Sequence, residues 1–137
     1  MNVVLDTNTV ISGLFWKGAP RQVLDRARSG DIILFTSLDL LDELADVLSR
    51  EKFASRFVLA GTGIDELVFG YASLANLIRA DEIEPVIKSD PQDDQVLACA
   101  KTANADVIVS GDNHLLALQQ YQNVEILTAG QLLERLK

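Results

Sequence analysis

Val3-Val4-Leu5-Asp6-Thr7-Asn8 and Val107-Ile108-Val109-Ser110-Gly111-Asp112 are the stretches that decide how this chain folds. Each is a solid apolar triplet that stops on small polar residues and an aspartate. Strands buried on both faces read as such unbroken runs, because a parallel sheet is covered by helices on either side. Ile32 to Phe35 repeats the pattern, and Val124 to Leu127 supplies the last strand.

Helical stretches separate these runs. Thr9 to Trp16 reads as a short helix. A second restarts at Gly18-Ala19-Pro20, with Pro20 in its first turn, Val23, Leu24 and Ala27 inward, and Ser29-Gly30 closing it. Ser37 caps a third that runs to about Ser49, with Leu38, Leu41, Ala45 and Leu48 on one stripe widened by Leu40, Leu44 and Val47. Thr62 or Asp65 begins a helical stretch to about Ile78, and Ile83 to Ile87 is expected as a short edge strand because of Pro85. Asp90-Pro91 opens a helix carrying Val96, Leu97, Ala100 and Ala103 inward, Leu115 to Leu118 belong to another, and Ala129 to Leu136 form the last. Strands alternating with helices predict an α/β fold, a mainly parallel sheet covered on both faces. Right-handed crossovers bring the C-terminal ends of parallel strands to one edge, where ligands of such sheets bind. Asp6 and Asp112 fall at that edge, and Asp94 lies in the first turn of a helix whose preceding loop arrives there.

Composition narrows the function. With 137 residues the chain is expected to form one domain, residues 1–137. No apolar run is long enough to span a membrane, and Met1 to Asp6 does not make a secretory signal, so a cytoplasmic location is the expectation. A single cysteine, Cys99, excludes an intrachain disulfide framework and is read as buried packing. A single histidine, His114, excludes a His-rich metal site or a triad as the main mechanism and is read as an exposed helix residue. The net charge of −8 argues against a general nucleic-acid coat, yet it is compatible with an acidic metal centre. Seven of the twelve basic residues fall between Lys17 and Arg56, which keeps a local cationic surface in view. Trp16 is read as packing against a helix or a partner copy, with base stacking as the alternative. Gly61-Thr62-Gly63 lacks the lysine of a phosphate loop and is read as a connection.

The acids also have plainer readings. An aspartate after a strand is often a turn former or a helix cap. Asp90 is expected as the cap before Pro91, with Asp93 placed to reach back to a backbone N–H. Glu43 stands in an acidic helix stripe with Asp39, Asp42 and Asp46, and periodicity does not single it out. Together the separated acids carry more weight. Carboxylates converging at about 4 Å repel by a few kcal/mol at an effective dielectric near 20, so protons or cations must relieve them. Oxygen ligands without cysteine or clustered histidine select Mg²⁺ or Mn²⁺ over zinc.

At Val3–Asn8, Leu41-Asp42-Glu43-Leu44, Asp90–Ala98 and Val109–Asp112 the sequence resembles the PIN domain family. Gly18-Ala19-Pro20 and Leu48-Ser49-Arg50-Glu51-Lys52-Phe53 resemble the subgroup described as toxins of toxin–antitoxin pairs. The similarity runs from Val3 to Leu127; each motif is short, and their order and spacing make them specific. The resemblance implies a three-layer α/β/α sandwich around a mainly parallel sheet of about five strands. It implies a Mg²⁺- or Mn²⁺-dependent endoribonuclease in which Asp6, Asp94 and Asp112 are the principal metal ligands and Glu43 binds metal or orients the attacking water. Asn8 and Ser110 match supporting polar positions, and Asp93 could share the metal role with Asp94. Arg21, Arg50 and Lys52 are the candidate phosphate contacts. The expected partners are an RNA substrate, a small antitoxin protein and a second copy of the chain in a homodimer, with no membrane. Two rival readings stand beside this one. An aspartyl-nucleophile phosphatase or receiver domain would place acids at strand ends, but Asn8 occupies the position where such phosphatases carry a second aspartate. A catalytically silent PIN-like module that binds RNA or protein is opposed by the presence of all four acids.

Overall fold

The computed structural model describes residues 1–87 and 91–137. Strand β1 (Asn2–Leu5) leads into α1 (Thr7–Phe15) and α2 (Ala19–Arg28). Strand β2 (Ile33–Ser37) is followed by α3 (Leu38–Leu48), a 3₁₀ turn at Glu51–Phe53, α4 (Ala54–Ala60) and α5 (Ile64–Leu74). Then come β3 (Asn76–Ile78), α6 (Pro91–Thr102), β4 (Val107–Val109), α7 (Asn113–Leu116), β5 (Gln120–Tyr121), β6 (Val124–Leu127) and α8 (Ala129–Arg135).

The six strands lie in the order β3-β2-β1-β4-β6-β5, and every pair is parallel except β5 with β6. Successive side chains of a strand point to opposite faces, and this alternation builds two cores. Val3, Leu5, Val107 and Val109 join the core covered by α1, α2, α3, α5 and α8. Val4 and Ile108 join the other, with Val96, Leu97 and Ala100 of α6 and Leu115 of α7. The result is a three-layer α/β/α arrangement, and Cys99 is fully buried in its second core.

Three local expectations are corrected. Leu38, placed on the buried stripe of α3, is 64% exposed, because the inward face is formed by Leu40, Leu41, Leu44, Val47 and Leu48. The helix expected to reach Ile78 stops at Leu74. Ala75 turns extended, and Asn76–Ile78 adds a parallel edge strand to β2, with the Asn76 amide donating to the Leu34 carbonyl at 3.1 Å. Ile83 to Ile87 forms no strand. Pro85 offers no N–H, and the amides of Val86 and Ile87 donate to the Asp94 carboxylate instead of to a neighbouring strand. The expected cap at Asp90 lies outside the described residues. Among the described residues, no single helix is long and apolar enough to cross a membrane.

Candidate metal centre

In this strand order the chain leaves β1 in both directions, toward β2 on one side and toward β4 on the other. That reversal opens a crevice beyond the C-terminal ends of β1 and β4, the place where open α/β sheets bind ligands. Asp6 follows β1 there and Ser110 to Asp112 follow β4. The two strand ends are stitched by the Asp6 N–H donating to the Val109 carbonyl at 3.1 Å.

Asp6 is 5% exposed and caps α1, its Oδ1 accepting the Thr9 N–H at 2.8 Å. Its Oδ2 accepts the hydroxyl of Ser110. Ser110, 1% exposed, in turn accepts the N–H of Asp112 at 2.9 Å. One hydroxyl therefore joins the two acids, donating to one and accepting from the backbone of the other. A carboxylate has about four lone-pair positions, so Asp6 keeps acceptor capacity after both bonds. Asp112 caps α7 through the His114 N–H, donated at 2.7 Å. Both acids thus satisfy the plain capping reading while also standing at the sheet edge.

Asp93 and Asp94 point differently. Asp93 is 8% exposed, and its carboxylate groups with Asp112 and His114, with one ligand atom of each lying within 4.8 Å of the others. Asp94 is half-buried and accepts from Val86 at 3.3 Å and from Ile87 at 3.0 Å, tying α6 to the segment before it. It lines a hollow with Asp39, Ala80, Ile83 and Gln95. Glu43 is half-buried where Asp39, Asp42 and Asp46 are exposed, and it faces Gln92 and Gln95 of α6 across a cavity of about 250 Å³. Asn8 is exposed beside Ser110 and Asp112, and all three line a cleft of about 340 Å³ that reaches Thr128 and Gly130.

The candidate phosphate contacts are distributed. Arg21 directs its Nε and Nη2 to the carbonyls of Gly13 and Leu14, closing the end of α1. Arg50 is exposed, 4.0 Å from Asp46. Lys52 lies over the Phe53 ring at 5.1 Å, and Arg56 over Trp16 at 4.7 Å.

The acids leave room for a cation. Among the described residues, neither Asp6 nor Asp112 is paired with a lysine or arginine. Helix dipoles at the start of α1 and α7 offset only part of their charge. The donor set of carboxylate oxygens with one imidazole suits a divalent ion that takes oxygen ligands and tolerates nitrogen. Sequence reasoning left His114 out of this set. The available signal was its place two residues after Asp112, inside the same cap. Residues 2–114 match the family model of the PIN domain. No curated protein matches the chain.

Proposed function

The chain belongs to the PIN domain family, whose members are generally metal-dependent nucleases, and from that membership we propose that it is a Mg²⁺- or Mn²⁺-dependent endoribonuclease. In this reading the chain is a single cytoplasmic domain, the toxin of a toxin–antitoxin pair, acting as a homodimer neutralised by a small antitoxin. The observation that carries the nuclease reading is the junction of Asp6 and Asp112 through Ser110 at the sheet edge, with Asp93 grouped against Asp112.

Asp6, Asp93 and Asp112 are the proposed ligand acids. Between the neighbours on α6, the buried position of Asp93 beside Asp112 favours it as the ligand, and Asp94 holds the segment at Val86 and Ile87 that borders the site. Glu43 binds metal or orients the attacking water from the α3 side. A bound divalent ion at such a centre supplies an activated water and stabilises charge on a phosphoryl oxygen. The chain's own contribution is positional. Ser110 fixes the spacing of two acids, Asn8 lines the adjoining cleft, and Arg50 and Lys52 offer cationic contacts to the phosphate backbone. Arg21 is the weaker of the three phosphate candidates, since its guanidinium already serves α1.

The test uses Asp6→Asn. Asparagine caps a helix as well as aspartate does, so the fold is kept. The variant is expected to lose about 100-fold or more of RNA cleavage, and EDTA is expected to silence the wild type. Full activity in the variant or in EDTA would remove the proposal. Turnover of small phosphomonoesters would instead promote a phosphatase.

A further inference from the structure

The chain has one histidine, and the fold sets it against two acids of the proposed centre, Asp93 and Asp112. Asp112 caps α7 by accepting the His114 N–H at 2.7 Å, so the histidine backbone is held beside that carboxylate. The ring Nδ1 lies 3.7 Å from Asp112 Oδ1, and ligand atoms of Asp93, Asp112 and His114 fall within 4.8 Å of one another. Two ligands each about 2.1–2.2 Å from one ion stand about 3.0 Å apart when cis and about 4.3 Å apart when trans. The 3.7 Å separation lies between these two, so the ring must move by about 0.7 Å to reach the cis distance. The remaining adjustment is within reach of an exposed ring, and among the described residues no other side chain holds it.

We propose that His114 is a nitrogen ligand of the divalent ion held by Asp93 and Asp112, and that it makes this centre favour Mn²⁺ over Mg²⁺. The inference rests on the metal-dependent reading above. Carboxylates alone discriminate little between the two ions. Mg²⁺ keeps its waters and takes oxygen donors, whereas an imidazole nitrogen is a ligand for first-row transition ions. A single nitrogen therefore tilts the site without closing it to water.

The sole histidine makes the test unambiguous. Mn²⁺ is bound to tag-free protein in a buffer without imidazole, and nitrogen couplings are read by electron spin echo envelope modulation. The expected spectrum carries an imidazole coupling that changes on ¹⁵N-histidine labelling and vanishes in His114→Ala. The same variant is expected to lose about tenfold or more in Mn²⁺ affinity, with Mg²⁺ affinity changed by less than about twofold. A nitrogen-free spectrum, or equal losses for both ions, overturns the role of His114. Asp112→Asn separates loss of the histidine ligand from loss of the metal centre. Nitrogen-free Mn²⁺ binding that depends on Asp112 removes only the histidine ligand. Mn²⁺ binding indifferent to Asp112, or no Mn²⁺ binding by the wild type, removes the metal centre and the histidine proposal with it.

Discussion

Ser110 joins two acids through one hydroxyl, and the consequence is measurable. Ser110→Ala leaves the Asp6 oxygen and the Asp112 N–H without their shared partner in a buried spot. The expected loss is about 1–3 kcal/mol of stability and about 10- to 100-fold in metal affinity, read by urea unfolding and Mn²⁺ titration. Unchanged Mn²⁺ binding would show that the bridge does not set the acids' spacing. The neighbours Asp93 and Asp94 make a second pair. Asp93→Asn is expected to weaken Mn²⁺ binding by about tenfold or more. Asp94→Ala is expected chiefly to lower stability by about 1 kcal/mol, through the Val86 and Ile87 amides it releases. The reverse pattern would assign the ligand role to Asp94. Sequence could bring both residues to the start of α6 but could not choose between them. Consecutive helix positions point about 100° apart, and the phase is fixed by packing against β1 and β4. For Glu43 the same limit held. Only the tertiary contact of α3 with α6 separates it, half-buried, from the exposed Asp39, Asp42 and Asp46.

The elements themselves were legible wherever pattern and chemistry agreed. Val3–Leu5 and Val107–Val109 are strands because unbroken apolar residues can serve both cores, and Ser37 caps α3 through the Leu40 N–H as its position suggests. Asn76–Ile78 was not legible. Three residues after a helix carry too little periodicity to show a strand, and its edge pairing with β2 depends on a partner distant in sequence. Ile83–Ile87 misled for the opposite reason. Its apolar residues at alternate positions suit a strand, but Asp94 takes its amides and Ile87 packs into the second core. Gly13 tests packing between elements. Alanine would favour the helix by about 1 kcal/mol on propensity. Yet its added methyl would stand 2.7 Å from Leu24 Cδ1 and 3.0 Å from the Pro20 carbonyl. Gly13→Ala is therefore expected to destabilise by about 1–3 kcal/mol. A variant as stable as wild type or better would show that α1 and α2 have slack.

At the scale of the molecule, the burial that builds the two cores, with Tyr71 in the first and Cys99 in the second, governs its behaviour in alkali. Burial pushes the Cys99 thiol up to about 12. Burial also raises the Tyr71 phenol, with the charges of Cys99 and Asp6 adding to the shift. In the unfolded chain these groups lose protons near their ordinary values, so between about pH 9 and 12 the folded state binds more protons. Their contribution to stability is full below that window and is lost as pH rises through it. Urea midpoints should fall between pH 8 and 11, and Cys99→Ala should fall less steeply. Identical slopes would deny the thiol its part. The net charge of −8 likewise acts on the whole chain, and an acidic member of a nuclease family needs cations at its centre more than a basic one does. The sheet-edge geometry meets that need if Asp6, Asp93 and Asp112 share a dication. A crystal soaked in Mn²⁺ and measured at the manganese edge tests this most directly. The account predicts an anomalous peak about 2.2 Å from carboxylate oxygens of Asp93 and Asp112, on the side facing Asp6. A peak seated instead between Asp39 and Asp94, or none at the ends of β1 and β4 at saturating Mn²⁺, would contradict it.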